Sequence, residues 1–158
     1  MLCINSDRIM RVVISDPKHS LAIGVIFANL KPFTTTITLN VSTEGIYIQG
    51  MDTSQVCLFE CNLGSEWFVS FEVEEEDVER IALSTSIASK VMATRMGNQI
   101  VTLEADTDSD KLSMSFTGAS DIYDKHFELP LMEIDSEIID VPENESDVDL
   151  VLPSKNFT

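Results

Sequence analysis

Asp106, Asp108 and Asp110, with Thr107 and Ser109 between them, put an acid at every second position, as at the start of a calcium-binding loop. Such a loop also needs Gly at its sixth position and Glu at its twelfth. Lys111 and Thr117 stand there instead, and the flanks alternate like strands, so the segment reads as a hairpin turn. Cys57, Cys61, His19 and His126 are of the types that hold zinc, but their spacing forms no clear four-ligand set. The two thiols read as free and buried on one strand face. Glu74-Glu75-Glu76-Asp77 offers paired carboxylates for acid–base work, yet a run of like charge reads better as a solvated loop. No Gly-rich phosphate loop and no nucleophile motif occurs. The expectation is a protein with no catalytic residues, no metal and no cofactor.

The elements that would position such residues start from composition. The chain has 158 residues, enough for one well-buried domain and too few for two full ones. Hydrophobic residues make up 44%, which supports a packed core. Acidic residues number 27 against 10 basic, a net charge of −17. That surface repels phosphate and argues against gripping DNA by charge over the whole molecule. The first residues lack the continuous apolar stretch of a signal peptide. No apolar run approaches membrane-spanning length. Three cysteines, an odd number, fit reduced thiols in a cytosolic, nuclear or viral-factory compartment.

Residues 1–8 read as a loose tail. Met10–Ile14 is a β-branched first strand. Asp16-Pro17 caps and starts a helix filled by Leu21, Ile23, Val25, Ile26, Phe27 and Leu30, and Lys31-Pro32 ends it. Ile37, Leu39 and Val41 alternate with Thr36, Thr38 and Asn40, a half-buried strand. A turn at Glu44-Gly45 leads to a strand at Ile46–Gln49, and Val56–Leu63 is another. The acidic segment Glu72–Glu79 follows. A second helix covers Thr85–Arg95, with Ser84 as cap, Ile87 and Val91 on one face and Gly97 just past the end. Ile100–Ala105 and Leu112–Phe116 form a hairpin, and a strand around Phe127–Met132 closes the unit. The order predicts an α+β fold, an antiparallel sheet with two helices on one face. Residues 133–149 hold eight acids and no base, punctuated by Ile134, Ile138, Ile139 and Val141: an extended connector with anchoring side chains. Asp147–Leu152 opens a further strand, and Pro153–Phe157 begins a turn or helix.

Four stretches together resemble the first domain of a sliding clamp of the proliferating-cell-nuclear-antigen (PCNA) type. They are Gly45 to Leu58; Leu63-Gly64-Ser65-Glu66-Trp67-Phe68; the hairpin Ile100–Leu103 to Leu112–Phe116; and Leu131-Met132-Glu133-Ile134-Asp135-Ser136-Glu137-Ile138-Ile139-Asp140-Val141-Pro142-Glu143. The last is similar to the family's interdomain connecting loop. The resemblance runs from about residue 10 to the end, with no match for Glu72–Glu79. It divides the chain into an N-terminal extension (1–9), a clamp domain (10–132), a connecting loop (133–146) and the opening strand of a truncated second clamp domain (147–158).

The resemblance implies a DNA polymerase processivity factor that encircles duplex DNA without reading sequence and docks replication and repair proteins. Its partners would be DNA polymerase and other clamp-binding-motif proteins and a clamp loader. It implies no enzyme activity, no membrane, and a nucleus, viral replication site or cytoplasm as location. The partner-peptide pocket would use Met51, Gln55 and Val56 on one wall and Ile139, Val141 and Pro142 on the other. Lys31, Lys90, Arg95 and Lys18 would face DNA. Leu112, Met114, Phe116 and Phe127 would form the subunit-interface edge. The family forms homotrimers; with one domain plus a stub, a monomer or non-native dimer is the expectation here. Two competing readings are a clamp-like interaction module that has lost the ring and, on carboxylate abundance alone, an acidic metal-dependent hydrolase.

Overall fold

The computed structural model describes residues 8–73, 78–107, 109–118, 123–134, 137–140, 151 and 153. Nine strands and two helices follow in the order β1 (Arg8–Ile14), α1 (Pro17–Leu30), β2 (Thr36–Ser42), β3 (Gly45–Met51), β4 (Leu58–Gly64), β5 (Ser70–Val73), β6 (Glu79–Ser84), α2 (Thr85–Met92), β7 (Ile100–Asp106), β8 (Lys111–Thr117) and β9 (Lys125–Pro130). A single 3-10 turn, Ser65–Trp67, separates β4 from β5. All named pairings are antiparallel. They build a five-stranded sheet, β5-β1-β7-β8-β9, and a four-stranded sheet, β4-β3-β2-β6. A bridge between Leu83 and Leu131 and a hydrogen bond from Met132 N–H to Ala82 O (2.8 Å) join the sheets at the β6–β9 corner.

The first helix forms where its cap and its apolar spacing agree. Asp16 is the N-cap; its carboxylate accepts from Lys18 N–H at 2.7 Å, and that bond lowers its pKa. Ser20, Ile23 and Phe27 fall on the buried side. Leu21 and Val25 do not: both are exposed, Leu21 by 60%. An apolar residue in an amphipathic sequence can still point away from the sheet. The helices pack on each other, and Met92 of α2 lies against Gly24 of α1.

Three local expectations shift. The second helix stops at Met92, not Arg95. There Thr94 and Arg95 donate to carbonyls three residues back, Val91 and Met92, which tightens the turn. Ser84 occupies the N-cap without a side-chain bond. Ile87 is exposed, and Thr85, Ala88 and Met92 form the buried side instead. β4 starts at Leu58, not Val56, because Val56 and Cys57 donate their N–H groups to Asp52 rather than to a ladder. The acidic stretch hides strand ends: Glu72 belongs to β5 and Glu79 to β6, while 74–77 lie outside the described residues. Glu72 sits opposite Arg11 in the β1–β5 register with their charges 3.5 Å apart.

β2 is buried on both faces rather than half-buried. Ile37, Leu39 and Val41 enter the core, and Thr38 and Asn40 are also shielded. Asn40 Nδ2 donates to Tyr47 O at 3.0 Å. The core is continuous across both sheets and the helices, with Phe27, Phe116, Ile37, Leu83 and Met114 among its fully buried members.

Candidate functional site

The strand β3 ends at Met51, paired with Leu58 of β4. Gly50 precedes it for a steric reason: a Cβ there would stand 2.4 Å from the Phe59 ring. The chain then turns through Asp52, whose carboxylate organises the loop. Oδ1 accepts from Val56 N–H (2.8 Å) and Cys57 N–H (2.7 Å); Oδ2 accepts from Ser54 N–H and the Ser54 hydroxyl. The Ser54 hydroxyl and these backbone donors pull the Asp52 pKa down to about 2. Asp52 N–H itself donates to Cys57 O, closing the loop. Gln55 adopts φ 58°, in the left-handed region, at its tip. Val56 is 86% exposed, so it is neither core nor strand.

Across β3 lies the connector. Ile139 N–H donates to Gln49 Oε1 at 2.7 Å, and Gln49 Nε2 donates back to Ile139 O at 2.7 Å. This places Ile139 beside Met51. The two residues line one cleft of about 240 Å³ with Thr34, Thr36, Thr38, Gln49, Gly50, Glu133 and Glu137. Small-molecule sites usually run ~300–1,000 Å³, so this cleft suits a side chain better than a free ligand. The polar face of β2 is shielded here because Thr38 lies in the cleft.

Of the six expected pocket residues, the fold brings Met51 and Ile139 together. Gln55 and Val56 stand on the adjoining exposed loop and do not line the cleft. Val141 and Pro142 lie outside the described residues. The threonines, Gln49 and the two glutamates were missed. The alternation in β2 and β3 puts Thr36, Thr38 and Gln49 on the faces opposite the core, a usable signal once that face was known to be covered.

Lys18 sits in the first turn of α1, Lys31 at its C-cap, and Lys90 in α2; all three are exposed. Arg95 follows α2, donates to Gly97 O at 2.8 Å, and borders the groove between the helices. A stronger signal in the sequence is negative. No acid occurs between Asp16 and Glu44 or between Glu79 and Glu104, although the chain has 27. Both helices fall in these acid-free windows.

The expected subunit edge requires a correction. Leu112, Met114 and Phe116 belong to β8, which pairs with β7 on one side and β9 on the other. All three are fully buried core. The outer strand is β9, and Phe127 is the expected residue that lies on it, packed on Phe116 with ring centroids 5.7 Å apart. Lys125, Glu128 and Pro130 carry the signature of an edge strand.

The metal-like residues stay apart. His19 stacks on Trp67 at 4.3 Å and donates to its carbonyl from Nδ1 at 2.9 Å, while His126 shares a hydrogen bond with Ser115 Oγ. Cys57 is exposed and precedes β4, against the expectation of burial; Cys61 is half-buried, and burial pushes its thiol up. Among the described residues no three His, Cys, Asp or Glu side chains gather to hold a metal. Asp106 O accepts from Ser109 N–H in the β7–β8 turn; Asp108 lies outside the described residues. No helix among the described residues is long and apolar enough to cross a membrane.

The family model for the N-terminal domain of proliferating cell nuclear antigen matches residues 18–138. This chain belongs to the PCNA family. The match takes in α1 from Lys18, α2 and the strands β2 to β9, and runs into the connector as far as Ile138. One similar solved structure is the crystal structure of PCNA from Thermococcus kodakaraensis, at 23% identity and a TM-score of 0.75. The alignment covers 85% of this chain and 51% of that one, so this chain spans about half the length of that protein. At that identity the likeness carries the fold: an α+β PCNA-type domain of antiparallel sheets and two helices.

Proposed function

We propose that the chain supplies the first domain and connecting loop of a DNA sliding clamp, a polymerase processivity factor that docks replication and repair proteins on duplex DNA. The observation that carries this reading is the cleft between Met51 and Ile139, in a PCNA-family domain whose helices are free of acids. Residues 10–132 act as the clamp domain, 133–146 as the interdomain loop, and 147–158 lead into a second domain. The protein acts as a scaffold at the site of replication, in the nucleus or its equivalent, with DNA polymerase, other clamp-binding-motif proteins and a clamp loader as partners.

Partner peptides place apolar or aromatic anchors beside Met51 and Ile139, with Gln55, Val56, Val141 and Pro142 around them. A flexible methionine suits a surface with several clients. Lys18, Lys31, Lys90 and Arg95 face phosphate, and the acids elsewhere keep the rest of the surface away from it. Ring closure runs through β9 and Phe127, the outer strand of its sheet, in the family's trimer. Titration of the assembled protein with a clamp-binding peptide tests the docking role. Ile139→Asp should abolish binding with the fold intact; binding at wild-type affinity would refute the assignment.

A further inference from the structure

We propose that Gln49 is the latch that fixes the connector over β3 and so sets the shape of the docking cleft. The proposal deepens the docking role and rests on it. The Gln49 amide has two N–H donors and one oxygen. One donor reaches Ile139 O and the oxygen receives Ile139 N–H, both at 2.7 Å. The other donor reaches Tyr47 Oη at 3.1 Å. Tyr47 in turn donates to Glu60 Oε2 at 3.0 Å, which leaves its oxygen free to accept. Glu60 therefore orients Tyr47, Tyr47 orients the amide, and the amide fits the peptide unit of Ile139 in one sense only.

The connector needs such a device. It joins the body of the domain at Leu131 and Met132 through backbone bonds to Asp110 and Ala82. Beyond Met132, the hydrogen bonds that tie the described connector residues to the domain are the two at Gln49. Ile138, Ile139 and Asp140 are otherwise exposed. Gln49 lines the same cleft as Met51 and Ile139, so it is a positioning residue within the wall.

Two variants and two readouts test the latch in the full-length protein. Gln49→Ala should speed amide hydrogen exchange at Ile139 about tenfold and weaken a clamp-binding peptide about tenfold, the scale of two lost hydrogen bonds. Amides of Leu112 and Met114 in β8 should stay protected and report an intact fold. Gln49→Glu should also weaken the peptide at neutral pH, because a carboxylate still accepts from Ile139 N–H but has no proton for Ile139 O and sets its charge against that oxygen. Its affinity relative to wild type should recover as pH falls through the ordinary carboxyl range, ~4.3. Glu60, which bonds Tyr47, and Glu133 and Glu137, which line the cleft, are the same in both proteins, so the ratio isolates position 49. A bystander glutamine gives no such pH profile. Unchanged exchange at Ile139 in Gln49→Ala would overturn the latch. Faster exchange with unchanged peptide affinity would overturn its role in the cleft. If the wild-type protein binds no peptide, the docking role fails, and exchange at Ile139 still decides the latch.

Discussion

Asp52 does at one residue what a longer loop would need several to do. Its carboxylate gathers Ser54, Val56 and Cys57, and this is why its pKa falls to about 2, well below the usual carboxylate range. The sign follows from that direction. A carboxyl with a lowered folded pKa stabilises its loop fully above the unfolded value, and the contribution is lost as pH falls from near 4 through about 2. The loop at Gln55 and Val56 should therefore keep its amide chemical shifts down to about pH 4 and change between there and 2, as NMR titration would show. Asp52→Ala should bring those changes on at neutral pH, and Asp52→Asn less so, since an amide oxygen still accepts. The cysteines give a second test at this scale. Exposed Cys57 should react with a thiol reagent well before Cys61, whose thiol is raised by burial; comparing Cys57→Ser with Cys61→Ser under mass spectrometry separates them.

At the scale of elements, one helix shows how far a pattern can be read. Asp16-Pro17 and Lys31-Pro32 bound α1 because capping and proline geometry are local. Which apolar residues of α1 are buried is not local. Phe27 meets the core and Leu21 meets solvent, though both are large apolar side chains. Phe27→Ala should cost ~3–5 kcal/mol in denaturant unfolding. Leu21→Ala should stay within ~0.5 kcal/mol. Equal costs would mean that Leu21 packs against something in solution. The strands divide in the same way. The hairpin β7–β8 was legible because Leu112, Met114 and Phe116 alternate with serines. Glu72 and Glu79 obscure β5 and β6 in the sequence, and Glu72 pairs with Arg11 across the β1–β5 register. Alternation marks a buried face equally well in an inner and an outer strand, so it does not distinguish β8 from the edge that β9 occupies.

For the whole molecule, charge placement matters more than total charge. All 27 acids lie outside the two windows that hold the helices, so those windows are positive within a chain of net charge −17. If the helices face phosphate, DNA affinity should fall with salt, and each cation removed should flatten the log–log slope by ~0.9. Lys31→Glu and Lys90→Glu should each do so without changing sequence preference, and should shorten polymerase products; a slope unaffected by both would place DNA elsewhere. Family membership, both helices, the β7–β8 hairpin and the acidic, isoleucine-studded run after β9 were determined by the sequence, because caps, side-chain periodicity and motif order are properties of neighbouring residues. The tertiary structure alone decided that β8 is interior, that Thr38 lines a cleft with the connector, and that Gln49 holds Ile139. Gln49 and Ile139 are 90 residues apart, and a hydrogen bond over that span depends on how sheet and connector meet, not on either segment's own pattern.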